Sequence, residues 1–271
     1  MECRVTLAVT LITSASITHQ YEQEMSPGSS TTPLEPDWER VPDEQWNVYR
    51  RVIHEARTLG VRFAFGGAFA TACYTGQLRN TKDFDFYILP TDIDAMKRAI
   101  SSAGLQDYYE RLPYDRSWIY RSSRGDTIVD AIWAMANHRA SVDEHWVTHG
   151  PEIAIRGELL RAIPVEELIW SKLYILQRER CDWVDVFNLL DAQVGAVRWK
   201  HLLDRLGEDV PLLAGGLAVF GWLAPDRAGS IPPSVWSRVG LRQPPPFDGA
   251  DLSLTRANLL DSRPWFTRHA R

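Results

Sequence analysis

The chain of 271 residues is 45% hydrophobic and carries 30 Lys and Arg against 35 Asp and Glu, a formal net charge of −5. That balance excludes a collagen, a long coiled coil and a mostly disordered chain, and it argues against a protein that binds nucleic acid with its whole surface. At roughly 150 residues per domain the length allows one or two domains. Cys3, Cys73 and Cys181 are too few and too far apart for a disulfide framework or a zinc knuckle, which points to a reducing compartment. No stretch reaches the roughly 18–20 apolar residues of a membrane helix, so a cytoplasmic location and no membrane partner are expected.

Val5 to Ile17 is apolar enough to mimic the core of a signal peptide, but Thr and Ser interrupt it and no small-x-small cleavage site follows. Met25, a second candidate start, opens a Ser/Thr/Pro/Gly-rich stretch. Order is expected from about Pro42. Trp46, Tyr49, Ile53 and Ala56 recur at helical spacing within Glu44–Leu59, and Gly60 is the stop. Val61–Phe65 reads as a strand ended by Gly66-Gly67, Ala68–Thr75 as a short helix, and Asp83–Leu89 as a strand closed by Pro90. A helix from Thr91 to Ala103 follows, then strands at Ser117–Arg121 and Thr127–Trp133 with a turn over Ser122–Asp126, then a hairpin around Gly157. Past Pro164 the pattern turns helical, over Val165–Arg180, Asp182–Asp191, Arg198–Leu206 and Pro211–Leu223. From Ala228 the chain is rich in Pro, Gly and Arg, and Pro244-Pro245-Pro246 cannot lie inside a helix. The expected fold class is α+β: a small mixed β-sheet with helices, followed by a helical segment. The expected divisions are a flexible leader over 1–40, a sheet domain over 41–162, a helical domain over 163–227 and a Pro/Arg-rich tail over 228–271.

The chemistry-bearing pattern is Gly66-Gly67 followed by Asp83-Phe84-Asp85. A strand has a period of two, so Asp83 and Asp85 share one face and Phe84 and Phe86 turn to the core. Two carboxylates about 6–7 Å apart on one face repel, and a divalent cation relieves the repulsion. Oxygen ligands of this kind suit Mg²⁺ completed by substrate phosphates; two solvated aspartates are the plainer alternative. Gly66 and Gly67, between a strand and a helix, either let backbone N–H groups approach a phosphate or form a simple tight turn. Asp130 lies inside the apolar run Ile128–Ile132 and needs a partner. That partner is either a metal shared with Asp83 and Asp85 or an arginine, Arg79 or Arg121. His138, His145 and His149 cluster loosely in a polar stretch and read as surface residues. Trp118 and Tyr120 are the aromatic candidates for base stacking.

Gly66-Gly67-Ala68, a short helix, Arg79-x-Thr81-Lys82-Asp83-x-Asp85 and Asp130 on a later strand together resemble the nucleotidyltransferase superfamily of the DNA polymerase β type. More narrowly they resemble the AbiEii-like toxins and minimal bacterial nucleotidyltransferases. Lys172, Arg178 and Asp182-x-x-Asp185 are similar to the helical motif of the AbiEii group. Many relatives carry Ser or Thr where this chain has Ala68. The resemblance covers about residues 60–192 and implies a nucleotidyltransferase fold over 41–162. It implies an enzyme that moves a nucleoside monophosphate from a nucleoside triphosphate such as ATP to an acceptor hydroxyl, releasing pyrophosphate. Asp83, Asp85 and Asp130 would be catalytic and would hold two Mg²⁺ (or Mn²⁺) ions, with Asp130 as a general base. Gly66, Gly67, Arg79, Lys82, Lys172 and Arg178 would bind the nucleotide. The acceptor is left open among a small molecule, a protein and an RNA end. The alternative is a non-catalytic nucleotide-binding or toxin–antitoxin interaction module of the same fold, with a cognate antitoxin as partner. A glycosyltransferase using Asp-x-Asp is a more distant reading, disfavoured by the strand–Gly-Gly–helix unit.

Overall fold

Helix α1 (Asp43–Thr58) turns Trp46, Tyr49, Val52, Ile53 and Ala56 inward at spacings of three and four, and Gly60 at φ +71° ends it. The computed structural model describes residues 35–79, 81–245, 247 and 251–266, so most of the expected leader, with Met25, lies outside the described residues. Order begins before the expected Pro42. Trp38 is buried and its ring stacks on Phe69 with centroids 5.8 Å apart.

After α1 come β1 (Phe63–Phe65), α2 (Gly67–Thr75), β2 (Asp83–Ile88), α3 (Ile93–Ser102), β3 (Gln106–Asp107), β4 (Ile119–Arg124) and β5 (Thr127–Ile132). The strands form one five-stranded mixed sheet in the order β1-β2-β5-β4-β3. Strand β2 runs parallel to β5 and antiparallel to β1, and β4 is antiparallel to both β5 and β3. This is the α+β fold with a mixed sheet that the element order predicts. Alternation along β2 buries Phe84, Phe86 and Ile88 completely. Phe84 packs its ring within 4.7–5.0 Å, centroid to centroid, of Phe86, Phe69 and Tyr49. That aromatic cluster occupies one face of the sheet and fixes the other as the face of Asp83 and Asp85. One difference concerns β4, expected to stop at Arg121 and seen to run to Arg124. Ser122 and Ser123 are buried in the ladder, and the Ser122 hydroxyl donates to the Val129 carbonyl at 2.9 Å, which carries the strand past its polar residues.

Helix α4 (Glu144–Thr148) and the hairpin β6 (Glu152–Ile155) and β7 (Glu158–Arg161) lead to α5 (Val165–Leu173). Helical spacing predicts that α5 continues to Arg180; it stops at Leu173. Leu176 and Cys181 then pair in an isolated bridge, and the Asp182 N–H donates to the Ile175 carbonyl at 2.9 Å. The turn lets Lys172 and Arg180 reach one carboxylate, that of Asp182. Next come α6 (Trp183–Gln193), α7 (Trp199–Leu206) and α8 (Val210–Leu223).

By length and composition the run Trp199–Leu223 passes for a membrane span, an exception to the sequence expectation. Its Leu202, Leu206, Leu213, Leu217 and Phe220 are buried in the core, and Glu208 and Asp209 interrupt it between α7 and α8. A short helix α9 (Pro225–Ala228) follows, and the chain beyond Ala228, expected to be loose, forms α10 (Pro233–Arg238) and α11 (Asp251–Leu260). Its Ile231, Val235, Trp236 and Phe266 join the same core, because these widely spaced apolar side chains meet the helices before them. The described residues form one compact unit.

Candidate active site

The parallel register of β2 and β5 sets Asp85 directly opposite Asp130, and Asp83 lies two residues earlier on the same face. One oxygen from each of the three carboxylates lies within 4.8 Å of the others. Asp130 is 1% exposed, whereas Asp83 and Asp85 are partly buried. Strand β4 contributes Arg121, the ladder partner of Asp130. Its Nε donates to Asp130 Oδ1 at 2.8 Å and its Nη2 to Oδ2 at 2.5 Å. The metal and arginine partners weighed for Asp130 thus occupy one place: the carboxylates converge and the arginine is already there. The Thr81 hydroxyl donates to Asp83.

Electrostatically the site is strained in favour of protons or cations. Burial, then the charges of Asp130 and Asp83, push the Asp85 carboxyl up to about 8, against the pull of Lys172 and Arg121. Burial also raises the Asp130 carboxyl, opposed by Arg121. An oxygen-only donor set with crowded like charges fits a divalent cation. Asp83 and Asp85 would hold it, with Asp130 as a third ligand where Arg121 gives way.

Neither glycine has room for a side chain. Gly67 has φ +56°, and a Cβ there would run into the carboxylate of Asp85; a Cβ on Gly66 would run into the Tyr87 ring. The first turn of α2, with its free N–H groups, therefore lies directly against Asp85.

A second charged group faces the first across a cleft of about 280 Å³. Lys172, 5% exposed, places Nζ 2.8 Å from Asp182 and 2.7 Å from Asp185. Arg180 forks onto Asp182 at 2.9 Å through both Nε and Nη2. Burial alone would raise Asp182, but the hydrogen bonds and charges of Arg180 and Lys172 bring it down to about 2. Gly67, Asp83, Asp85, Asp130 and Lys172 line this cleft, together with Arg121, Arg180 and Trp118.

The other expected nucleotide-binding residues lie elsewhere. Gly66 sits behind Gly67 against Tyr87. The side chain of Arg79 is 71% exposed, 3.8 Å from Asp185, and that of Lys82 is 71% exposed beside Asp126. Arg178 is 92% exposed next to Glu179, in the turn that follows the end of the helix at Leu173. Arg180, unmarked in the sequence reading, holds the place inside the cleft. Tyr120 does not line the cleft; its ring lies 5.5 Å from Lys97 Nζ.

No protein-family model matches the chain, and no curated protein matches it. Among solved structures, the antibiotic-resistance factor ANT(2'')-Ia matches with a TM-score of 0.44 at 15% identity, over 65% of this chain and 95% of that one. An antigenic nucleotidyltransferase-like protein from Paracoccidioides brasiliensis matches with a TM-score of 0.41 at 15% identity, over 73% and 99%. The lincosamide antibiotic adenylyltransferase LnuA, with lincomycin bound, matches with a TM-score of 0.40 at 13% identity, over 55% and 96%.

Proposed function

We propose that the protein is a nucleotidyltransferase that uses a nucleoside triphosphate and Mg²⁺ or Mn²⁺. The observation that carries this reading is the convergence of Asp83, Asp85 and Asp130 beside Gly67, at the start of a helix and at the wall of a cleft. In the reaction an acceptor oxygen bonds to the α-phosphorus, the bridging bond to the β-phosphate breaks, and pyrophosphate leaves. Asp83, Asp85 and Asp130 would hold one or two cations, which when bound offset phosphate charge and make a coordinated hydroxyl more acidic.

The chain's own groups divide the remaining tasks. The N–H groups at the start of α2 meet phosphate oxygens, since Gly67 carries no side chain of its own between the helix start and the Asp85 carboxylate. Lys172 has three donors, two of them committed to Asp182 and Asp185, so the third is free for a phosphate. Arg180 stands beside it. Asp130 takes the proton of the attacking hydroxyl, and Arg121 keeps its carboxylate oriented. Among the described residues, four aspartates line the cleft against one lysine and two arginines, a balance that suits a neutral or cationic small acceptor better than an RNA end.

One observation favours the non-catalytic alternative: both oxygens of Asp130 are already satisfied by Arg121. Incubation with each α-labelled nucleoside triphosphate, Mg²⁺ and a small-molecule extract separates the readings. Metal-dependent pyrophosphate release with label on an acceptor, lost in Asp85→Asn, supports the enzyme. Nucleotide binding without pyrophosphate release supports the binding module.

A further inference from the structure

The structure contains a second cluster of ligand-type side chains that shares no residue with the aspartates. His145 on α4, Glu167 on α5 and His201 on α7 bring one ligand atom each to within 4.8 Å of one another. His201 Nε2 is 2.6 Å and His145 Nε2 is 3.8 Å from the same oxygen, Glu167 Oε1. Neighbouring ligands in a tetrahedral zinc site with bonds near 2.0–2.1 Å stand about 3.3 Å apart, and the two separations bracket that value. Glu167 is 0% exposed, and among the described residues its second oxygen, Oε2, is buried with no hydrogen-bond partner. A carboxylate oxygen left bare in the interior is costly, and a metal taken by both oxygens of Glu167 satisfies it.

The surrounding charges leave room for a cation. Two arginines approach: Arg198 Nη2 lies 3.0 Å from His145 Nε2, and Arg205 Nε donates to Glu167 Oε1 at 3.1 Å. Each has its own carboxylate. Arg198 is forked on Glu166 at 3.0 and 3.2 Å, and Arg205 on Asp143 at 2.7 and 3.0 Å. The charge of Glu167 is therefore the unmatched one. The ring of His149 stacks on that of His145 with centroids 4.1 Å apart.

We propose that His145, Glu167 and His201 form a binding site for a borderline transition-metal ion of the Zn²⁺ class, which pins α4 and α7 to the first turn of α5. Two imidazoles and a carboxylate from three separate helices suit Zn²⁺ and do not suit Mg²⁺. Helix α5 also carries Leu168, Ser171 and Lys172 into the catalytic cleft, so the ion would set the position of one cleft wall.

The test uses the full chain with Asp83→Asn and Asp85→Asn, which removes the aspartate site as a competing ligand set. Zn²⁺ alone is titrated against a chromophoric chelator, and Co²⁺ is added in parallel for its absorption spectrum. Expected are one tightly held equivalent of Zn²⁺ and an intense four-coordinate Co²⁺ band. His201→Gln and Glu167→Gln should each weaken Zn²⁺ at least about a hundredfold, while Lys200→Ala, an exposed neighbour, leaves affinity unchanged. Absence of a tight equivalent overturns the site, as does Zn²⁺ held equally well by His201→Gln and Glu167→Gln. If either variant fails to fold, the Co²⁺ spectrum decides: a weak six-coordinate spectrum overturns the proposal. Because the aspartate pair is already disabled, failure here leaves the nucleotidyltransferase reading untouched.

Discussion

Arg121 holds both oxygens of Asp130, from the next strand of the same sheet and in the same row. Asp85 completes that row on the far side of Asp130 and, among the described residues, accepts no arginine hydrogen bond of its own. The row Asp85–Asp130–Arg121 thus has one matched and one unmatched carboxylate. The unmatched one lies against Gly67, where a phosphate or a cation would arrive.

Removing the arginine should strand a buried charge. Asp130 is 1% exposed, and breaking a buried pair by deleting one partner typically costs about 3–5 kcal/mol. The Arg121 side chain is 35% exposed, which places the expected loss for Arg121→Met near the lower end, about 3 kcal/mol. Urea unfolding measures it. Adding Asp130→Asn to Arg121→Met should restore much of the stability, and millimolar Mg²⁺ should rescue Arg121→Met more than it stabilises the parent. A loss below about 1 kcal/mol would show that water reaches Asp130 freely.

The raised carboxyl of Asp85 gives a pH dependence of definite sign. Unfolded, the group titrates near 3.8; folded without a cation, near 8. Between those values the folded state keeps a proton that the unfolded state has lost, so this group makes stability fall as pH rises from about 4 to 8. The slope is at most about 1.4 kcal/mol per pH unit. Asp182, held down to about 2, acts oppositely: its contribution is present above 3.8 and lost as pH falls toward 2. Asp85→Asn should flatten the pH 4–8 limb and make the cation-free protein more stable at pH 8. Chemical denaturation across that range with a chelator present checks both. The same linkage means that cation binding at pH 7 should release close to one proton, visible as a buffer-dependent heat in calorimetry.

Gly67 and Gly125 form a natural control pair. Both have positive φ, +56° and +60°, but a Cβ meets the Asp85 carboxylate at Gly67 and nothing within 4 Å at Gly125. Gly125→Ala should cost only the left-handed strain, about 1–2 kcal/mol. Gly67→Ala should cost more and should also weaken nucleotide and divalent-cation binding, because Asp85 must swing away. Equal destabilisation of the two variants, with cation affinity unchanged in Gly67→Ala, would reduce Gly67 to a turn residue.

What was legible in the sequence was whatever depends on local period. Alternation in Asp83–Ile88 identifies the buried aromatics and the carboxylate face together, and an aspartate inside Ile128–Ile132 announces a partner. Both the metal and the arginine reading of Asp130 came from that one anomaly. Lost were features set by where a helix stops and by which helices meet. Lys172 and Arg178 lie on one helix only if it persists; the break after Leu173 leaves Arg178 outward and brings Arg180 in. His145 reads as a surface residue of a polar stretch, because the helices that bring Glu167 and His201 to it lie far along the chain. Only the tertiary arrangement shows that Glu167 is fully buried.

The far end of the chain carries the last prediction. A Pro/Arg-rich composition from residue 228 suggests a dispensable tail, yet Ile231, Val235, Trp236 and Phe266 are each exposed by 3% or less. The Asn188 side chain donates to the Trp265 carbonyl at 3.0 Å, and a Cβ on Gly221 of α8 would lie 3.5 Å from the Trp236 ring, so the segment packs on α6 and α8. At about 1.5–3 kcal/mol per fully buried large apolar side chain, these four account for roughly 6–12 kcal/mol before ordering costs. That is comparable to the whole stability of a typical domain, about 5–15 kcal/mol. Deleting residues 228–271 should therefore yield protein that aggregates or unfolds, whereas Trp236→Ala should fold with a loss of about 3–5 kcal/mol. Limited proteolysis should leave Pro233–Arg238 uncut under native conditions. A truncated chain that retains a cooperative thermal transition and cation binding would show that the helices up to α8 close a core without it.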